Sequence, residues 1–233
     1  MENMNNKLFL LLLCMSFFVS AQYMSQLGQD QLFNERFLLN KKNGFFLDIG
    51  AHDGMTGSNT YFFEKELGWQ GMCFEPLPHL FKQLRACRDC ICINACVGSV
   101  NGTVPFLHLD SLDEQLSGMC DTYDPRQLDI VMNDLSVYGG NAVMLYLPCV
   151  SLMDILEQHG ITHVDYLSLD TEGSELEILK TIDFSKISID MMSVENNFHE
   201  PFIRDFLETK GFIFIEHLIV DDIFVSADFI LRH

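Results

Sequence analysis

Phe45-Phe46-Leu47-Asp48-Ile49-Gly50-Ala51-His52-Asp53-Gly54, followed by Phe74-Glu75-Pro76, is the stretch from which the fold can be read. The apolar run predicts a buried strand that ends near an acid, and the chain then turns on glycines. Gly50 and Gly54 carry no Cβ, so the backbone there can pass close to a ligand. A second short apolar strand delivers Glu75 about 20 residues beyond the turn, the separation at which one βαβ unit presents an acid to a ribose diol. The pattern predicts an adenosine-containing ligand on an α/β sheet.

The spacing narrows the choice of ligand. A dinucleotide fingerprint needs G-x-G-x-x-G, so that a pyrophosphate can rest against a helix N-terminus. Here the spacing is Gly50-x-x-x-Gly54, with His52 where the middle glycine would stand. Asp48 and Asp53 flank the turn and would repel a diphosphate. They suit a cationic ligand. S-adenosylmethionine carries a sulfonium and an ammonium and no phosphate, so electrostatics favour it over a nicotinamide dinucleotide.

Outward from this stretch, hydrophobic periodicity and capping signals predict alternating helices and strands. Helices are expected over residues 26–39, 59–67 (capped by Ser58), 78–87 (opened by Pro78), 152–159 (capped by Ser151), 172–179 and 201–209. Strands are expected at Phe45-Phe46-Leu47, ending at Asp48, and over 71–75, 91–97, 103–109, 145–150, 164–169, 187–194, 212–219 and 223–230. Asn101-Gly102 signals a two-residue hairpin between the strands at 91–97 and 103–109, and Asp221-Asp222 a turn inside a closing antiparallel pair. Residues 110–144 show no clear periodicity and read as an insertion that covers the substrate. The sum is a mostly parallel sheet finished by a hairpin.

The chain has 233 residues, enough for one α/β domain with a full core and short for two. Its net charge of −19 argues against nucleic acid and against an anionic membrane surface, because both are bound through lysine and arginine. Residues 8–19 are apolar apart from Cys14 and Ser16, follow Lys7, and lead to Val19-Ser20-Ala21, where a signal peptidase would read small residues. That run is shorter than the ~20 residues needed to span a bilayer. Residues 1–21 are therefore expected to be a signal peptide, with an N-terminal anchor as the rival, and 22–233 the working domain. The protein is then expected to be secreted or to sit in the secretory-pathway lumen. Beyond Ala21 an odd number of cysteines remains, which cannot pair fully, and Cys87-x-x-Cys90 lacks the partner motif of a zinc site. Core packing is the expected role, with at most one surface disulfide.

In an open α/β sheet, ligands collect at the carboxyl ends of the strands. Asp48, Glu75, Asp170 and Glu195 fall there. The richest cluster is Asp170-Thr171-Glu172-Gly173-Ser174-Glu175, with Glu172 and Glu175 expected on one face of a helix. Asp170 is the candidate general base for a hydroxyl, with Glu172 beside it. These carboxylates permit a divalent ion without requiring one.

The chain resembles the FkbM family of S-adenosylmethionine-dependent methyltransferases. The marks are Ser25-Gln26-x-Gly28-Gln29-Asp30, residues 46–54, Ser58-Asn59-Thr60, Trp69-x-Gly71-x-Cys73-Phe74-Glu75-Pro76, Ser117-Gly118 and residues 165–175. The resemblance implies a class I methyltransferase (Rossmann-like) fold, a seven-stranded, mostly parallel sheet with a C-terminal antiparallel strand. It implies O-methylation of a hydroxyl on a small molecule or glycan. By position, Asp48, Gly50, Ala51, His52, Asp53 and Gly54 would wrap the methionine part of the cofactor, with Ser58 and Asn59 close by. Glu75 would hold the ribose, Asn94 and Ala95 would lie near the adenine, and Asp170 and Glu172 would face the reacting centre. The alternative is a non-catalytic, methyltransferase-like binding protein of the secretory pathway.

Overall fold

The computed structural model describes residues 22–111 and 114–232; the leader read at 1–21 lies outside them. Its centre is a seven-stranded sheet. The strands are β1 (Phe45–Ile49), β2 (Gln70–Phe74), β3 (Ile91–Ile93), β8 (His163–Leu169), β9 (Ser188–Glu195), β10 (Phe212–Leu218) and β11 (Asp221–Ser226). Across the sheet they run β3-β2-β1-β8-β9-β11-β10. β11 lies antiparallel to both of its neighbours, and the other pairings are parallel. This is the class I methyltransferase architecture, with the last strand reversed.

Side-chain alternation gives the sheet two buried faces. Leu47, Met72, Leu167 and Met192 point into one core, and their chain neighbours Phe46, Cys73, Tyr166 and Met191 into the other. The first core is closed by α5 (Leu152–Gln158), α6 (Glu175–Thr181) and α7 (Pro201–Thr209), through Leu152, Leu156, Ile178, Ile203 and Leu207. The second is closed by α1 (Gln29–Phe33), α2 (Tyr61–Leu67), α3 (Pro78–Cys87) and α8 (Ala227–Arg232), through Phe33, Phe62, Phe63, Leu84 and Phe229. Fully burying one such Leu or Phe is worth about 1.5–3 kcal/mol, so the two cores carry most of the folding drive.

A second, four-stranded sheet has the order β4-β7-β5-β6, with β4 (Cys96–Gly98), β5 (Gly102–Asp110), β6 (Gly118–Met119) and β7 (Asn141–Ser151). It corrects several expectations. The third strand breaks in two, because the chain leaves the main sheet after Ile93 and β4 pairs with β7 instead. No hairpin forms on Asn101-Gly102, since β5 pairs antiparallel with β7, from Gly102↔Cys149 to Asp110↔Asn141. Asn101 staples the ribbon at its base: its Oδ1 accepts from Ser151 N at 2.9 Å and its Nδ2 donates to Asp154 at 2.5 Å.

Within residues 110–144 the chain forms a 3₁₀ turn (Glu114–Leu116), then β6, then α4 (Pro125–Tyr138). Asp124 caps α4 by accepting from Arg126 N, and Pro125 sits at its first position. The expected helix over 26–39 is α1 followed by a π-turn (Asn34–Leu38). Asp221 and Asp222 belong to β11 rather than to a turn, and the final strand stops at Ser226 to give α8. Ser151 caps as expected, its Oγ accepting from Asp154 N at 3.3 Å, whereas α2 begins at Tyr61 with Thr60 at its N-cap, and Ser58 Oγ accepts from Thr60 N and Tyr61 N at 3.3 and 3.2 Å from just ahead of the helix. The cysteines among the described residues are all free; Cys73 and Cys90 bring their sulfurs to 3.4 Å. Among the described residues no helix is long and apolar enough to cross a membrane.

Candidate active site

The carboxyl ends of β1, β2, β8 and β9 open onto a cavity of about 310 Å³. Its far wall comes from the second sheet and the 3₁₀ turn, through Phe106, Glu114, Leu116, Ser117 and Met119. Asp48, Gly50, Ala51, His52, Ser58, Asn59, Glu75, Ala95, Asp170 and Glu172 all line it. Among the described residues no lysine or arginine lines it.

The turn after β1 is fixed from both sides. Gly50 N and Ala51 N both donate to Phe74 O, at 3.1 and 2.9 Å, and Asp170 N donates to Ile49 O at 3.0 Å. Gly50 has φ 90°, and a Cβ there would stand 1.7 Å from the carbonyl oxygen of Asp170. Close approach of β1 to β8 therefore requires this glycine before any ligand is considered. His52, at φ 50°, donates its backbone N–H to Glu75 Oε2 at 3.1 Å, and Leu77 N donates to Oε1 at 2.7 Å. Glu75 is thus aimed and held at the end of β2. Burial pushes its carboxyl up to about 8, with Glu114 and Asp48 adding repulsion against the two N–H donors.

Three expected cofactor residues stand elsewhere. Gly54 packs on α3, where a Cβ would lie 2.5 Å from Leu84 Cδ1, so its smallness serves helix packing. Asp53 turns back on its own loop and accepts from Met55 N, Thr56 N and Thr56 Oγ1 at 2.8, 2.8 and 2.6 Å. Burial raises that carboxyl, but these donors outweigh it and hold it below the usual range. Asn94 faces the backbone, donating to Glu75 O and Pro76 O at 2.8 and 2.9 Å. It braces the loop that carries Glu75, and its neighbours Ala95, Cys96 and Val97 form the wall.

Asp48 is buried beneath the cavity with Thr60 Oγ1 at 2.5 Å and Arg88 at 3.8 Å. Burial raises its carboxyl in spite of Arg88 and the two hydroxyls. Arg88 carries no earlier expectation of a role, because a basic residue just past a helix reads as solvent-exposed. It is buried, pairs with Glu64, and donates to Gly54 O, Ser58 Oγ and Thr60 Oγ1 at 3.0, 3.3 and 2.8 Å. The loop between β1 and α2 is therefore built around one guanidinium. Asn59 donates to Ser168 Oγ at 3.0 Å, and its Oδ1 is buried with no partner.

At the other end of the cavity Asp170, Glu172 and Glu195 bring carboxylate oxygens within 4.8 Å of one another. Glu172 does not start a helix: it sits in a left-handed turn at φ 60°, before α6. Glu175 organises that turn, accepting from Thr171 N, Thr171 Oγ1 and Gly173 N at 2.7, 2.8 and 3.0 Å. The two glutamates therefore serve different purposes. Gln127 of α4 donates to Glu172, and Asn197 donates to Glu195 at 2.8 Å. Desolvation raises all three carboxyls, with repulsion from Asp221 and Glu175 adding at Asp170 and repulsion from Asp170 adding at both glutamates; Asp170 reaches about 8 and the glutamates stand well above their ordinary range. Such a set can share protons, accept one from a substrate hydroxyl, or hold an oxygen-liking cation. Glu195 was legible only as an acid at a strand end; Gln127 sits on a helix without a clear pattern and gave no signal.

The sequence model of the methyltransferase FkbM domain matches residues 48–214. The chain belongs to the FkbM methyltransferase family. No curated protein matches it. Among solved structures, the methyltransferase FkbM from Methylobacillus flagellatus KT superposes at TM-score 0.47 and 12% identity, covering 79% of this chain and 44% of that one. A putative rRNA-methylase from Clostridium thermocellum gives TM-score 0.42 at 9% identity, over 88% and 98% of the two chains. The human methyltransferase 10 domain containing protein gives 0.39 at 13% identity, over 85% and 78%. The chain spans less than half the length of the first of these structures.

Proposed function

We propose that this family member binds S-adenosylmethionine in the strand-end cavity and directs its methyl group to a hydroxyl of a small molecule or glycan. The observation that carries the reading is a cavity rich in carboxylates and free of lysine and arginine, with Glu75 held at the end of β2. The residues present fit a cationic nucleoside. Glu75 offers its carboxyl to a ribose diol, and Phe106, Leu116, Val97 and Met119 supply apolar surface for a base. The buried, unpartnered Asn59 Oδ1 can accept from an ammonium.

When bound, the cofactor supplies a methyl group on a positively charged sulfur. The chain's own contribution is positioning and proton transfer. Asp170 faces the cavity and is placed to take the hydroxyl proton, with desolvation and the nearby Asp221 and Glu175 raising its basicity and a hydrogen bond with Glu195 opposing them. α4, whose Gln127 holds Glu172, flanks the acceptor side, so it would help select the acceptor and keep water out. The leader read from the sequence would place this activity in the secretory pathway or outside the cell.

Isothermal titration with S-adenosylhomocysteine tests the reading. Wild type is expected to bind, and Asp48→Ala combined with Glu75→Ala to abolish binding. Undiminished binding in the double variant, or no binding by wild type, would sink the enzyme reading and leave a methyltransferase-like binding protein.

A further inference from the structure

A second constellation stands on the outer wall of the cavity. His79 lies in the first turn of α3, His108 lies on β5, and Glu114 opens the 3₁₀ turn. Both imidazoles aim Nε2 at the same carboxylate oxygen, Glu114 Oε1, at 2.7 and 3.0 Å. The rings stand 5.7 Å apart, and the three donor atoms all lie within 4.8 Å of one another. Elements distant in sequence thus converge on one point.

We propose that His79, His108 and Glu114 bind one divalent ion of the zinc class, which fastens the 3₁₀ turn across the cavity wall. Two imidazole nitrogens and one carboxylate oxygen form the donor set of three-ligand zinc centres, and they leave a fourth position open. Imidazole donors favour zinc, copper or nickel over calcium and magnesium, which take oxygen. Zinc bonds of roughly 2.1 Å set tetrahedral ligand atoms about 3.4 Å apart, so the two N···O spacings of 2.7 and 3.0 Å have to open by under about 1 Å. Side-chain rotation provides that. His79 is half exposed, which leaves the open position towards solvent.

The other mixed cluster, His163, Asp165 and Asp190, differs in kind. Its acids are already neutralised by Lys41 and Arg232. Around Glu114 no lysine or arginine competes among its recorded partners. The ion would also act on the cavity. Glu114 and the next three residues line it, Ser117 Oγ donates to Glu114 O at 2.6 Å, and Tyr123 Oη donates to Leu116 O at 2.5 Å. Fixing Glu114 therefore fixes the wall. The site depends only on its three ligands and stands whether or not the cavity performs methyl transfer.

The test is zinc titration of metal-stripped protein by calorimetry, paired with thermal unfolding and the visible spectrum of the cobalt(II) form. Wild type should bind one more equivalent of zinc than His79→Ala, His108→Ala or the volume-preserving Glu114→Gln. Its melting temperature should rise with zinc where theirs does not. His163→Ala should match wild type. Thiols elsewhere contribute equally to all these proteins, so the difference reports this site. Equal zinc binding by wild type and the three variants, or a cobalt spectrum unchanged in them, would overturn the proposal.

Discussion

Replacing Arg88 by methionine should destabilise the protein by about 3 kcal/mol at neutral pH. The side chain is inaccessible to solvent, and methionine fills most of its volume while removing the guanidinium. Glu64 and Asp48 then lose their buried cation, and Gly54 O, Ser58 Oγ and Thr60 Oγ1 each lose a donor. Stripping one partner from a buried ion pair costs about 3–5 kcal/mol, within which the hydrogen bonds at about 1 kcal/mol each are already counted. The lower end applies, because Glu64 keeps Lys65 at 3.0 Å and the backbone N–H of Asp89 at 2.6 Å. A pH signature follows. Burial raises the Glu64 carboxyl, but Arg88 outweighs it and holds it below its ordinary value. The stabilisation from that pair is present above the unfolded carboxylate range and is lost as pH falls through the folded value. The difference between wild type and variant should therefore narrow as the solution is acidified. Urea unfolding followed by circular dichroism at neutral and acidic pH measures both quantities, with Arg88→Lys expected to fall between the two proteins. A loss under about 1 kcal/mol at neutral pH would refute the view that one guanidinium organises this loop.

Two further expectations concern pH. Glu75 is pushed up to about 8 and Asp221 to about 6, in each case chiefly by burial; Asp170 also rises to about 8 but faces the open cavity, so the stability argument rests on the first two. The folded state then holds more protons than the unfolded one between the ordinary carboxylate range and about pH 8, so stability should fall as pH rises through that window. Calorimetric melting temperatures that stay level or climb across it would contradict the burial argument. For activity the sign reverses, because Asp170 must be ionised to accept a proton: kcat/KM should rise with pH towards a plateau above about pH 8. Asp170→Asn should lower the rate roughly 10²–10⁴-fold and remove that rise, and an unchanged pH profile in the variant would assign the proton to another group.

The central sheet was legible because its signals are local. Phe45-Phe46-Leu47 is an unbroken apolar triplet before Asp48, Pro78 and Pro201 each mark a helix start, and acids stand at the end of β9 and just after β8, so these elements lie close to where the pattern places them. The second sheet was not, because β5 recognises β7 across a long intervening segment, and no local pattern records a pairing such as Val104↔Leu147. α4 was missed since it buries little beyond Gln127 and Val131, although Asp124-Pro125 before it and Gly139-Gly140 after it were signals to hand. At the site, residue type and strand position were enough to put Glu75 and Asp170 at the cavity. Gly54, Asp53 and Asn94 lie off its lining, and sequence cannot tell a residue that lines a cavity from one that braces the loop around it. Glu172 was misread as helical because its left-handed backbone is uncommon for a glutamate.

The break after β3 has a consequence for how such an enzyme could diversify. By leaving the main sheet there, the chain builds the far wall of the cavity on a ribbon whose base is clamped by Asn101 and whose two long strands part after Asp110↔Asn141. Between β6 and β7 the chain makes α4, which pairs with no strand, so residues added or deleted around that helix leave the β5–β7 and β5–β6 registers in place. That stretch is thus an exchangeable cassette: its length and chemistry can drift while the rim built by β1, β2 and β8 stays unaltered.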